Sequence, residues 1–124
     1  MATIVPSFQK IRSQDSGIDA VTVTWANLTN AGPDSGQPVQ RPALVDRSVQ
    51  VTGTFGSGGT VVFEGSNDGV NYSTLSNPQG NAISVTSAGL SQVTEATAWM
   101  RPRITGGDGT TSLTVTVCAR RTLR

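Results

Sequence analysis

The chain has 124 residues, a formal net charge of +1, no histidine and one cysteine. This length fits one domain that buries its own core without disulfides or metal. The absence of histidine excludes cysteine–histidine catalysis at Cys118, and the low net charge argues against a nucleic-acid groove that depends on phosphate contacts. We therefore expect the function to lie in surfaces and assembly, with no catalytic residue, no cofactor and no nucleic-acid partner.

The sequence shows no targeting signal and no membrane segment. Met1 is not followed by the basic and apolar regions of a signal peptide, and no run approaches the roughly 18 apolar residues of a spanning helix. We expect a protein that is made in the cytoplasm and has no membrane partner. Because 35% of the residues are hydrophobic and 5% aromatic, the predicted core depends on aliphatic residues and on four rings, Trp25, Phe55, Phe63 and Trp99.

The first part of the chain is irregular. Residues 1–20 are predicted to form an extended N-terminal arm, and residues 21–121 a sandwich domain. Residues 21–25 alternate Val and Trp with Thr, which predicts a strand. Residues 30–46 contain several prolines and glycines, so we predict a long loop there.

Strand and turn signals follow one another from residue 47 onward. Residues 47–55 alternate apolar with polar side chains, the glycine-rich run 56–59 turns the chain, and residues 60–64 are predicted to return as its partner. Asp68-Gly69 predicts a type I′ turn, because both residues accept positive φ. We therefore predict a three-stranded meander.

The last third of the chain continues this pattern. Residues 98–104 are predicted as a strand in which Pro102 indicates an edge or a bulge. Asp108 and Gly109 lie in a predicted hairpin turn. Residues 113–119 form the clearest half-buried strand, with Leu, Val, Val and Ala on the core face and Cys118 on the other face. Residues 122–124 are predicted to be a basic C-terminal tail, either solvated or in contact with an acidic partner.

These elements predict an all-β fold. The short strands and their Gly, Asn and Asp turns favour an antiparallel β-sandwich over a barrel, with the jelly roll as one candidate topology. Calcium binding at Asp68 or Asp108 is an alternative to a turn role, but each turn offers only one carboxylate, and we predict no metal site.

Trp99 and Arg101 are predicted to share one face of their strand, since they are two residues apart. They could form a stacking surface for a sugar or a partner protein. Packing of Trp99 in the core is the other interpretation of the same pattern.

Four segments carry a resemblance to a known class of proteins: residues 47–55, 62–69, 77–81 and 101–110. They resemble small virion proteins of tailed bacteriophages, of the head decoration or capsid cement type. The resemblance extends over residues 25–121. It implies a non-enzymatic structural protein that is made in the host cytoplasm, lies on the capsid surface and stabilises the phage head. A tail or head-to-tail junction component belongs to the same structural class.

The resemblance also implies partners and contact residues. The partners would be the major capsid protein and further copies of this chain, in a dimer or trimer. Apolar residues of the arm and arginines of the domain are the interface candidates, since arginine is favoured at interfaces. These candidates are Ile4, Val5, Phe8, Ile11, Arg41, Arg47, Arg101 and Arg103.

A second resemblance competes with the first. Residues 66–69 and 71–72, together with Trp99 and Arg101, are similar to carbohydrate-binding sandwiches of the discoidin type. This resemblance implies glycan binding, with Tyr72 and Trp99 as the ring platforms. The chain lacks the bracketing cysteines of that family.

Overall fold

A computed structural model describes residues 2–12 and 19–121 and shows a sandwich of two β-sheets. No helix among these residues is long and apolar enough to cross a membrane. The strands in chain order are β1 (Thr3–Ile4), β2 (Ser7–Arg12), β3 (Asp19–Thr29), β4 (Ser35–Gly36), β5 (Val39–Gln40), β6 (Asp46–Thr54), β7 (Thr60–Ser66), β8 (Ser73–Thr74), β9 (Ser84–Val85), β10 (Gly89–Val93), β11 (Trp99–Gly106) and β12 (Ser112–Arg120).

The two sheets divide the strands unequally. The first sheet has the order β1-β4-β11-β7-β8, with β5 also paired to β11 and β9 to β7. The second sheet has the order β10-β6-β12-β3-β2. All pairings among the described strands are antiparallel except the parallel pair of β1 and β4. The prediction of an antiparallel β-sandwich is confirmed.

The predicted meander is correct for its second pair and wrong for its first. β7 and β8 pair as consecutive antiparallel strands, as predicted, but β6 does not pair with β7. β6 belongs to the second sheet and β7 to the first, and β11 and β12 are divided in the same way. Residues 56–59 and 107–111 therefore cross between the sheets instead of closing hairpins. The alternation of apolar residues shows which face of a strand is buried, but it does not show which neighbour the strand pairs with.

The core consists of the inward rows of both sheets. In the second sheet, all four predicted core residues of β12 are buried, and Cys118 lies half-buried on the other face, as predicted. Phe55 is partly buried against this core. The largest fully buried side chains are Trp25, Phe63, Leu28, Met100, Ile104 and Leu113.

Trp25 joins the two sheets. It extends from β3, its indole Nε1 donates a hydrogen bond to the Gln37 carbonyl at 3.0 Å, and its ring meets Phe63 of the first sheet edge-on, with centroids 6.4 Å apart. The side chain is fully buried. Its one polar atom is therefore satisfied, as burial of an indole requires.

A β-bulge in β3 keeps two large residues in the core. The register of β12 against β3 shifts between Leu113, opposite Leu28, and Val115, opposite Trp25. Asn27 takes the left-handed conformation with φ of 60°, which asparagine tolerates better than most residues. The extra residue lets Trp25 and Leu28, three positions apart, both point inward.

The N-terminal arm requires a correction. Within residues 2–12, β1 pairs with β4 and β2 pairs with β3, so this segment belongs to the sandwich. Ile4 packs against the core. These strands could not be recognised in the sequence, because β1 has two residues and β2 is an edge strand of mixed polarity. The predicted arm residues 1 and 13–18 and the predicted tail, residues 122–124, lie outside the described residues.

The predicted loop over residues 30–46 contains β4 and β5, which both pair with β11. Asp34 begins this stretch, and its Oδ2 accepts hydrogen bonds from the Thr29 backbone N–H at 2.8 Å and the Thr29 hydroxyl at 3.0 Å. The many prolines and glycines limit each strand to two residues, so the alternation was too short to recognise.

Pro102 lies inside the first sheet and not at its edge. β11 pairs with β7 on one side, but on the other its pairing is divided between β5, at residues 99–100, and β4, at Arg103. Ile104 donates its N–H to the Asp34 carbonyl on this second side. Because alternate residues point the same way, the missing N–H of Pro102 falls in the gap between β5 and β4, where no ladder bond is lost.

Gly36 provides a test of the packing between the sheets. A Cβ there would lie 2.5 Å from Pro102 Cδ and 2.6 Å from Trp25 Cδ1. We expect Gly36→Ala to lower the free energy of unfolding by roughly 1–3 kcal/mol, because both neighbours are held in the core. Denaturant unfolding measures the change.

Gly89→Ala is the matched control, because a Cβ on Gly89 would meet nothing within 4 Å. This change should alter the free energy of unfolding by less than about 0.5 kcal/mol. Equal losses in the two variants would contradict the packing account of Gly36.

Candidate functional site

The outer face of the first sheet carries the most polar chemistry of the described chain. In the register of β11 against β7, Arg101 lies opposite Glu64, Arg103 opposite Val62, and Trp99 opposite Ser66. The residues between them on β11, Met100, Pro102 and Ile104, are buried. We call Glu64, Tyr72, Trp99, Arg101 and Arg103 the outer-face cluster.

Glu64 lies between two guanidinium groups. Arg101 Nε is 3.0 Å from Glu64 Oε1, and Arg103 Nε is 2.9 Å from Glu64 Oε2. Glu64 is only 4% exposed, and a buried carboxylate requires such partners. Within the described residues, the Nη atoms of both arginines have no hydrogen-bond partner.

Tyr72 fixes the plane of Arg101. The Arg101 Cζ lies 3.9 Å from the centroid of the Tyr72 ring, a cation–π contact. Burial raises the pKa of the Tyr72 hydroxyl, and this oxygen has no hydrogen-bond partner among the described residues. The ring and the Glu64 carboxylate together hold Arg101 in one orientation.

Trp99 is not a core residue, so that interpretation is wrong. It lies half-buried on the outer face and shares this face with Arg101, as the two-residue spacing predicted. A Cβ on Gly69 would lie 3.0 Å from its indole Nε1. The loop after β7 thus lies against Trp99 and needs glycine at that point.

The loop that joins β7 to β8 is organised by Asp68. Its Oδ1 accepts hydrogen bonds from the Ser66 hydroxyl and from the N–H groups of Val70 and Asn71, each at 2.8 Å. These donors hold the pKa of Asp68 well below its usual range. Gly69 has φ of 77°, but among described residues other than glycine only Asn27 has positive φ, so the predicted type I′ turn at Asp68-Gly69 is wrong.

Asp108 connects two crossings between the sheets. Its Oδ1 accepts hydrogen bonds from the Thr110 N–H at 2.8 Å and the Thr110 hydroxyl at 2.7 Å, and its Oδ2 accepts one from the Ser57 N–H at 2.7 Å. These bonds lower the pKa of Asp108 to about 2. Gly109 lies in the adjoining turn.

The geometry of both turns bears on the calcium alternative. The oxygens of Asp68 and Asp108 accept bonds from N–H and hydroxyl donors of the protein. Over residues 2–12 and 19–121, no group of three or more acidic or cysteine side chains could hold a metal ion. The arrangement is that of side chains that organise turns.

Of the N-terminal candidates, Phe8 contacts another candidate, Arg41. Phe8 lies opposite Val23 in the register, so its side chain points toward the inner side, yet it is 48% exposed. The Arg41 Cζ lies 4.9 Å from the Phe8 centroid and covers part of the ring. Val5 is 73% exposed, and Ile11, opposite Ala20, is partly buried.

Arg47 is internal and not available to a partner, contrary to its assignment as an interface candidate. It is 2% exposed, its Nε donates to the Leu44 carbonyl, and its Nη2 donates to the carbonyls of Arg41 and Thr97. Burial lowers its pKa. Arg47 belongs to the same inward row of β6 as Val49 and Val51. The alternation of residues along this strand therefore predicted that Arg47 is buried.

Sequence reasoning thus recovered part of the outer-face cluster. It named four of the five members but not Glu64, the carboxylate between Arg101 and Arg103. Glu64 follows Phe63 on β7, so the alternation along the strand predicts that Glu64 points outward. Its pairing with Arg101 depends on the register between β7 and β11, which the sequence alone does not show.

Glu64 is more deeply buried than Arg101 and Arg103, so removing the arginines should destabilise the fold more than removing the carboxylate charge. Replacing Arg101 and Arg103 together by Met leaves Glu64 buried without a cation, so we expect a loss of roughly 3–5 kcal/mol in the free energy of unfolding. Glu64→Gln should cost only about 1–2 kcal/mol, because the arginines can turn to water. Denaturant unfolding at neutral pH compares the variants.

Arg120→Met is the control for this comparison, since its pair with Asp46 is long, at 3.9 Å, and exposed. Its loss should stay below about 1 kcal/mol. A double arginine variant as stable as Glu64→Gln would contradict the assigned role of Glu64.

The lowered pKa of Asp108 makes the stability of the fold sensitive to acid. Its pKa falls from 3.8 to about 2 on folding, so its ionised form stabilises the fold. This contribution is complete above about pH 4 and is lost as the pH falls toward 2. Between pH 5 and 2, the melting temperature of Asp108→Asn should therefore fall less than that of the unchanged protein. Parallel curves in thermal melts would refute the assignment.

Comparisons with known proteins place the fold. No protein-family model and no curated protein matches this chain. Among solved structures, the chain is similar to the crystal structure of the SPBc2 prophage-derived protein YomS, with a TM-score of 0.62 at 13% sequence identity. The similarity covers 85% of this chain and 96% of YomS. At this identity, the similarity establishes that the two chains share a β-sandwich fold.

Proposed function

We propose that this chain is a non-enzymatic virion structural protein of a tailed phage, a decoration or cement protein that binds the outer capsid lattice. The observation that carries the proposal is the fold shared with YomS, a prophage-derived protein, over nearly the whole of YomS. The virion-protein resemblance of residues 25–121 points the same way. The proposed location is the capsid surface, after synthesis in the host cytoplasm.

The state of the acidic side chains supports a non-enzymatic role. Glu64 is held by two arginines, and Glu95 accepts hydrogen bonds from the Ser76 N–H and hydroxyl, which lower its pKa. Asp68 and Asp108 organise turns. A general base must be able to reach a substrate proton, and each of these carboxylates is engaged in a structural contact.

A rigid sandwich suits binding to a lattice. Many identical weak contacts act together when copies bind a repeating surface, so no single contact has to be strong. The major capsid protein is the proposed partner, together with further copies of this chain as a dimer or trimer. Residues 2–12 are strands of the sandwich, so contacts by this segment would use its exposed side chains, such as Val5 and Phe8, without detachment from the sheets.

Glycan binding is the competing function, and the geometry disfavours it. A sugar platform needs an open ring face, but Arg101 covers one face of Tyr72 and Gly69 lies against Trp99. Both residues thus have structural contacts of their own. A tail or head-to-tail junction role remains within the same structural class and differs in copy number.

Co-sedimentation with capsids tests the proposal. The purified protein should bind mature, decoration-free capsids of its own phage and saturate at hundreds of copies, in simple proportion to the number of capsid subunits. The bound copies are counted from the pelleted particles. The same protein centrifuged without capsids controls for sedimentation of the protein by itself.

Other outcomes would redirect the assignment. Saturation at a few copies would favour a tail or junction component. No capsid binding, together with retention on a glycan array that Tyr72→Ala abolishes, would favour the carbohydrate-binding module. Either result would overturn the cement role.

A further inference from the structure

The outer-face cluster has unused hydrogen-bonding capacity directed away from the core. Arg101 and Arg103 each contact Glu64 through Nε, and within the described chain their Nη groups have no partner. Their side chains are 25% and 41% exposed, whereas that of Glu64 is 6% exposed. The three side chains carry a net charge of +1, with the carboxylate inside and the guanidinium edges outside.

These guanidinium groups are already ordered. Glu64 holds both, and the Tyr72 ring lies against Arg101 at 3.9 Å. Ordering an arginine side chain at an interface ordinarily costs about 0.5–1.5 kcal/mol, and here part of that loss has already occurred on folding. The planar fork of arginine matches the two oxygens of a carboxylate.

An exposed apolar side chain lies on the loop beside this cluster. Val70 is 78% exposed. The residue before it, Gly69, lies against Trp99. Tyr72, two positions after it, lies against Arg101. The Asp68 carboxylate accepts the Val70 N–H at 2.8 Å and so holds the loop tip. Arginine, tyrosine and tryptophan, which lie beside Val70 here, are the residue types enriched at interface hot spots.

We propose that the outer-face cluster is the docking site for an acidic side chain of the partner protein, whose carboxylate binds the Nη groups of Arg101 and Arg103 while Val70 packs beside it. This inference rests on the proposed function, because the partner is the capsid protein. One carboxylate balances the net charge of +1, whereas a phosphate carries up to two negative charges and would leave an excess. Charge complementarity therefore favours a protein carboxylate.

A pair of charge-matched variants tests the site. Arg103→Gln removes one guanidinium from the cluster, and its amide can still donate to Glu64. Arg120→Gln removes the same charge from β12, where Arg120 is 60% exposed. In capsid co-sedimentation, Arg103→Gln should weaken the apparent affinity by roughly tenfold and Arg120→Gln by less than about twofold.

A third variant guards against a merely structural effect of Arg103→Gln. Val70→Ser changes an exposed side chain and should leave the melting temperature unchanged, yet it should weaken capsid binding by roughly fivefold. Converting the carboxylates of the capsid to amides should abolish the difference between the unchanged protein and Arg103→Gln, because the group that Arg103 binds is then lost.

The outcomes separate this inference from the proposed function. If the unchanged protein does not bind capsids, the proposed function fails and the partner named here fails with it. If it binds and the Arg103→Gln and Val70→Ser variants bind equally well, only the docking site is overturned. Equal weakening by Arg103→Gln and Arg120→Gln would show nonspecific attraction and would also overturn the site. Full binding to amidated capsids would exclude a carboxylate and indicate a phosphate-bearing partner.

Discussion

The contact of Trp25 with the first sheet is the interaction on which the rest of the structure depends. Half of the buried hydrophobic residues are valines, so a single indole that reaches from β3 to Phe63 and to the Gln37 carbonyl determines how the two sheets lie together. Gly36 has to be glycine because the indole lies against it. β4 pairs with β11 next to this contact, and the short strands β4 and β5 leave the gap that accommodates Pro102.

The alternation of apolar and polar residues predicted which faces of the strands are buried, but it did not predict how the strands pair across the two sheets. The inward row of β12 could be recognised because its alternation is uninterrupted over nine residues. The pairings of β6 with β12 and of β7 with β11 could not be recognised, since the same alternation would bury the same faces in a hairpin or across a sandwich. Arg47 shows a different limit: its position indicated burial, but the carbonyl groups that receive its guanidinium come from Leu44, Arg41 and Thr97, up to 50 residues away.

The candidate site is a set of ordered charged side chains on the outer face of the first sheet. Two arginines on β11 share a carboxylate on the neighbouring strand β7, and Tyr72 from the loop after β7 limits the motion of Arg101. The sequence indicated that Trp99 and Arg101 share a face, because a two-residue spacing on a strand has only one geometric meaning. The role of Glu64 depends on the register between β7 and β11, and such registers arise from the packing of the whole sandwich.

The position of β12 has a consequence for biosynthesis. This strand, at residues 112–120, lies between β6 and β3 in the second sheet, so the two halves of that sheet have no common neighbour until it arrives. While the ribosome is still adding residues, β3 and β6 expose unpaired edges and an uncovered apolar row. The nascent sandwich therefore completes its fold only after residue 120 has emerged from the ribosome, and truncation within β12 produces an open, aggregation-prone sheet.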